Sequence, residues 1–182
     1  MIISDLCDEY SVLVSQNKAP AYGHDNINVP YGLVINDDGT LVAVRPLGDF
    51  SGKKPIHIIS APTRSSGIVA NFLCDTVTYM LGYDTKGKPE RAAQAFQACA
   101  ELHLCVLDGV EGPVASAICA FFTQAPQWET AQYLMGDEAW KSSLTMNFAL
   151  YYDNGTQATF VGDFPNVQEA WNTYYDQEKN DN

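Results

Sequence analysis

His24, His57 and His103 stand far apart, and none begins the HxxxH or HExxH spacing that sets two imidazoles on one helix face for zinc. His103 falls on the apolar side of a helical pattern, where a hydrogen-bonded core histidine is the expectation. Asp37 and Asp38 offer adjacent carboxylates for a divalent cation. Two acids just before Gly39, however, are the ordinary chemistry of a turn. Ser65-Ser66-Gly67 lacks a GxSxG elbow, and no Gly-rich phosphate loop occurs anywhere in the chain. Asn154-Gly155-Thr156 matches a glycosylation sequon. Cys7, Cys74, Cys99, Cys105 and Cys119 show no CxxC and no tight cluster, which fits reduced, mostly buried thiols in a cytosolic protein. These residues assemble no catalytic or metal-binding set, so neither an enzyme nor a cofactor is expected.

One segment carries chemistry of another kind. Residues 61–72 contain Arg64, the hydroxyls of Thr63, Ser65 and Ser66, then Gly67 and Asn71, between a strand pattern and a helix pattern. Backbone N–H groups and side-chain donors at such a junction suit an anion, and an Asn amide can pair with a base edge. A capping loop would use the same residues.

Charge points to the same region. The 182 residues carry 10 Lys plus Arg against 22 Asp plus Glu, a net of −12. That balance excludes a simple basic nucleic-acid binder and disfavours anionic lipid. The charge is uneven: residues 1–50 net −5, residues 92–182 net −10, and residues 51–91 net +3. The middle segment holds Lys53, Lys54, Arg64, Lys86, Lys88 and Arg91, six of the ten basic residues, and is where an anion would be met. From composition alone a solvated charged loop is the first expectation. No apolar run approaches the roughly 20 residues of a membrane span, and the first residues lack a basic n-region, so a cytoplasmic location is expected.

The elements that must position these residues read as α+β. Ile3 to Val14 has the spacing of an amphipathic helix. Two β-rich runs, 31–35 and 40–44, flank Asp38-Gly39, and two more flank Asn154-Gly155, giving two hairpins. Residues 57–59 read as one further strand, so the expected fold is an antiparallel sheet of two hairpins and that strand, covered by amphipathic helices. Helices are expected at 67–81, 89–107, 113–122, 126–134 and 166–175, three of them opened by proline. The whole of 1–175 reads as one domain, with 176–182 as a frayed acidic tail.

Arg64-Ser65-Ser66-Gly67-Ile68, followed by Asn71-Phe72-Leu73, Asp75, Tyr79 and Leu81-Gly82, resembles a motif of the type I-C CRISPR large subunit. That family belongs to Cascade, the RNA-guided surveillance complex. The likeness continues through Gly87-Lys88-Pro89-Glu90-Arg91-Ala92 and Phe96. It extends upstream to Pro20, Tyr22, Gly23 and the hairpin at Asp38-Gly39, and downstream to Ala170-Trp171. It matches the N-terminal portion of a family member. Thr63, Ala70, Cys74 and Thr76 depart from the family pattern, which more often has a basic residue, Pro, Trp and Asn there.

The resemblance implies a non-enzymatic subunit of antiviral defence. It would read the protospacer-adjacent motif on duplex DNA and dock beside the subunit that holds the guide RNA's 5′ handle. Base pairing then supplies sequence specificity while the protein reads a few base pairs and the backbone. Carried to this chain, Arg64, Ser65, Ser66, Gly67 and Asn71 become the DNA-binding candidates, Lys53 and Lys54 the phosphate contacts, and Phe72, Leu73 and Tyr79 the packing beneath. Phe96, Phe148 and Trp171 are expected in the core. An alternative follows from a chain that opens at Met and ends in an acidic tail: a stand-alone truncated homologue that occupies the large subunit's place as a decoy, in the manner of an anti-CRISPR. A third reading keeps only the α+β fold, as some other adaptor.

Overall fold

Tyr31-Gly32-Leu33-Val34-Ile35 is a continuous β-rich run, the pattern of a strand covered on both sides. In the computed structural model, which describes residues 24–47, 56–59 and 67–181, all five are buried. They form β2 (Tyr31–Ile35), after a short β1 (His24–Ile27). β2 pairs antiparallel with β3 (Leu41–Pro46) through a tight turn. There Asn36 Oδ1 accepts the N–H groups of Asp38 and Thr40, both at 3.0 Å. Gly39 takes φ +72°, a conformation that costs other residues strain. A Cβ at Gly39 would stand 2.3 Å from the Phe121 backbone nitrogen.

The second hairpin joins β6 (Asn147–Asp153) to β7 (Ala158–Phe160). Asn154 Oδ1 accepts from the Thr156 N–H and hydroxyl and from the Gln157 N–H, so the sequon asparagine is the hinge of this turn. β6 lies parallel to β2, with Tyr31 opposite Phe148 and Ile35 opposite Tyr152. A parallel pair needs a long crossover, and the helices between residues 77 and 143 supply it. The sheet is completed by β5 (Cys74–Thr76) on the other side of β6.

The α+β class holds, and both hairpins are present, but three expectations change. The main sheet is mixed rather than antiparallel, because the two hairpins meet through β2 and β6. The expected third strand, now β4 (Ile56–Ile59), pairs with β1 in a separate two-stranded sheet instead of joining the hairpins. The expected helix over 67–81 shortens to α1 (Val77–Leu81), preceded by irregular chain and β5.

That last change has a local cause. Leu73, a non-glycine residue at φ +69°, interrupts the helical path. Both of its backbone groups have distant partners: its N–H donates to His103 Nε2 at 2.8 Å, and its carbonyl accepts the Leu150 N–H at 3.1 Å. Asp75, fully buried, accepts the Asn71 N–H on Oδ2 at 2.9 Å and its neighbour Thr76's N–H on Oδ1 at 2.7 Å. Helical spacing of Ile68, Phe72 and Val77 is overruled by these bonds.

The remaining helices follow expectation closely: α2 (Pro89–Val106), α3 (Pro113–Thr123) and α4 (Trp128–Met135). α2 and α3 begin on proline, where no N–H is needed. A short α5 (Asp137–Ser143) was not expected. The last helix, α6 (Pro165–Asn180), runs through most of the segment read as a frayed tail, whose residues are nonetheless exposed. The expected helix over 3–14 lies outside the described residues.

Phe148, Phe96 and Trp171 are core residues, as expected. Phe72 stacks between Trp171 (5.3 Å between ring centres) and His103 (4.8 Å), and His103 stacks on Phe122 at 4.1 Å. This row ties α6, α2 and α3 to the chain entering β5. Each fully buried ring or leucine contributes about 1.5–3 kcal/mol of burial. Cys74 and Cys99 are buried thiols, but Cys105 is exposed and Cys119 half-buried, correcting the expectation that the cysteines lie inside.

Two predictions follow from the turn and the imidazole. Gly39→Ala forces a strained φ and a clash with the α3 backbone, and lowers stability by roughly 2–4 kcal/mol in urea unfolding. Burial holds the His103 pKa down to about 4, from 6.5. The unfolded chain therefore binds the extra proton between these values, so stability rises with pH across that window. The wild type gains about 3 kcal/mol there from this group, and His103→Gln flattens that part of the stability–pH curve.

Candidate nucleic-acid interface

The bonds that shape residues 71–76 also place the end of the candidate contact segment. Gly67, exposed and at φ +89°, opens the described part of that segment. Asn71 is 8% exposed, with its amide turned into the protein and its Oδ1 without a hydrogen-bond partner. Phe72 and Leu73 are fully buried and Tyr79 is half-buried against the core, the packing role expected of them. Lys53, Lys54, Arg64, Ser65 and Ser66 lie outside the described residues.

Gly67 forms one lip of a cleft of about 440 Å³. Its far wall is the corner between α1 and α2. Lys86, Lys88 and Arg91 line it, all three exposed, together with Thr78, Tyr79 and Asp84. Arg91 reaches across the mouth, its Nη2 3.4 Å from the Gly67 carbonyl oxygen. The corner is built from its own polar groups. Asp84 Oδ1 accepts the Lys86 N–H at 2.9 Å, and Thr78 Oγ1 donates to the Tyr83 carbonyl at 3.0 Å. Backbone N–H groups of Lys88, then Lys86, hold the Asp84 carboxyl below the usual carboxylate range. The Tyr83 ring is wedged against Trp128 and Trp140, each 5.1 Å away.

Electrostatically the cleft runs against the rest of the protein. Three cations face one carboxylate there, a net of +2 in a chain of −12. That carboxylate is engaged with the turn's own backbone, and among the described residues none of the three cations is held in an ion pair. A second groove, of about 590 Å³ between α2 and α6, has the opposite lining, with Asp108, Glu169, Glu178 and Asp181. The basic segment picked out by charge thus folds, in its described part, into one cationic concavity beside Gly67. Lys86, Lys88 and Arg91 were counted in that segment but not singled out. The legible signal was Asp84-Thr85-Lys86-Gly87-Lys88-Pro89, an Asp-led turn running into a proline-started helix.

The other candidates have structural roles. Asp37 accepts a hydrogen bond from the Tyr152 hydroxyl, which ties the first hairpin's turn to β6 and helps push the Tyr152 pKa up to about 12. Gln124 and Gln127 donate to the carbonyls of Asp38 and Gly39 on the same turn. His103 donates from Nδ1 to the Cys99 carbonyl at 2.7 Å and is fully buried, the hydrogen-bonded core histidine expected. Among the described residues no three His, Cys, Asp or Glu side chains gather as a metal site requires, and no helix is long and apolar enough to cross a membrane.

No curated protein matches the chain. The model of one protein family, described as CRISPR-associated protein (Cas_Csd1), matches residues 6–182. That match spans both hairpins, the Asn71–Asp75 segment, the cationic corner and the terminal helix. The chain belongs to the Csd1 family of CRISPR-associated proteins, the large-subunit family of type I-C Cascade.

Proposed function

We propose that this chain is a non-enzymatic Cascade subunit domain that recognises the protospacer-adjacent motif on duplex DNA. It docks onto the type I-C complex near the guide RNA's 5′ handle and acts in the cytoplasm as part of antiviral defence. The observation that carries this reading is the family match across residues 6–182. In it, Arg64, Ser65, Ser66 and Gly67 meet the duplex, with Lys53 and Lys54 on phosphates. Asn71 joins them only by turning its buried amide outward, which would give its unpartnered Oδ1 a partner on a base edge.

The charge explains why the complex is needed. At −12 the isolated chain repels DNA at long range, so neighbouring subunits and the guide must supply the attractive field. The same charge supports a second reading, a decoy that takes the large subunit's seat without binding DNA.

Reconstitution separates them. The chain is mixed with type I-C Cascade lacking its large subunit, and co-elution and binding to motif-bearing duplex are measured. The proposal expects co-elution with restored binding, and a loss of about 1–3 kcal/mol in motif affinity on Arg64→Ala. Co-elution without binding, with displacement of the full-length subunit, gives the decoy. A chain that stays out of a competent complex overturns both.

A further inference from the structure

We propose that the cleft between Gly67 and the α1–α2 corner is a backbone-phosphate site, in which Lys86, Lys88 and Arg91 hold successive phosphates of the same duplex. This rests on the DNA-docking reading above and adds to it three residues outside the segment that reading uses. Three observations converge on the site. It is a concavity of about 440 Å³, the size of a small-molecule pocket and large enough for a nucleotide. Its cations come from two positions in the turn and one in the first turn of α2, and all are exposed. Its one carboxylate accepts the turn's own N–H groups, so it fixes the corner and leaves the site a net of +2.

The location decides between a free anion and a nucleic-acid backbone. Arg91 touches the carbonyl of Gly67, itself one of the DNA contacts in the reading above, so a duplex that meets Gly67 has its backbone at the cleft mouth. Lys86 and Lys88 alternate along the turn as point charges, with no fork geometry for one fixed ligand, and Arg91 can present paired donors to one phosphate. Such contacts fix register and strength while carrying no sequence information.

The test uses the reconstituted complex with two duplexes, one bearing the motif and one lacking it, over a range of salt. The combined Lys86→Ala, Lys88→Ala and Arg91→Ala variant should weaken binding to both duplexes alike, by about tenfold or more. It should also reduce the slope of log affinity against log salt by about three. All three side chains are exposed, so its thermal midpoint should stay at the wild-type value. A variant that keeps the wild-type affinity and slope overturns the site while leaving motif recognition intact. If the wild type binds both duplexes equally and the variant still loses slope, motif reading fails and the phosphate site stands. Absence of any duplex binding overturns both. Inorganic phosphate titrated into the full chain, followed by amide NMR, distinguishes the source. Shifts at Lys86–Arg91 without the change in salt slope would mean a free-anion site and overturn the backbone assignment.

Discussion

A buried imidazole can keep a lone pair for accepting only while it stays neutral, and His103 stays neutral because it is wholly enclosed among rings. Its Nδ1 proton goes to the Cys99 carbonyl within α2, which fixes the tautomer and leaves Nε2 as acceptor for the Leu73 N–H. That bond allows Leu73 to remain left-handed at a cost of about 1 kcal/mol or more. Leu73's carbonyl then faces Leu150, Phe72 enters the ring stack, and the chain turns into β5 with Asp75 inside. Through these steps the path of residues 71–76 depends on one nitrogen in the core.

The protein keeps its charge in separate places. The C-terminal half gathers acid along the α2–α6 groove, while the turn before α2 carries bare cations over a carboxylate committed to backbone. A small positive site in a strongly negative molecule attracts little at a distance and binds well only at contact, since fields of separated exposed charges are screened within about 10 Å. Such an arrangement suits a module delivered to nucleic acid by its partners more than one that searches alone.

Legibility in the sequence followed the range of the deciding interactions. The Asp38-Gly39 and Asn154-Gly155 turns act on their own neighbours, so both hairpins could be read. Pro89 and Pro113 mark helix starts by local sterics, and α2 and α3 were read close to their true limits, whereas α6 runs on to Asn180 through the segment read as a frayed tail. Residues 67–76 could not be read the same way. Their apolar spacing is helical, and what defeats it is a pair of bonds to His103 and Leu150, 30 and 77 residues away in sequence. The pairing of β1 with β4 has the same non-local origin. At the candidate site, composition found the basic segment, but only the fold of the α1–α2 corner shows which of its charges share a concavity.

The parallel seam between β2 and β6 sets a condition on how the molecule comes into being. Val34 meets Tyr151 across more than a hundred residues of intervening chain. Contacts of such high sequence separation carry a large loop-closure entropy and tend to form late. During synthesis, β2 leaves the ribosome as a buried-type strand with only β3 beside it and waits for Asn147–Asp153 to follow. In that interval its apolar edge is open to other chains, the situation in which nascent proteins aggregate or recruit chaperones. The helices between the seam's two strands can form from local contacts while it stays open.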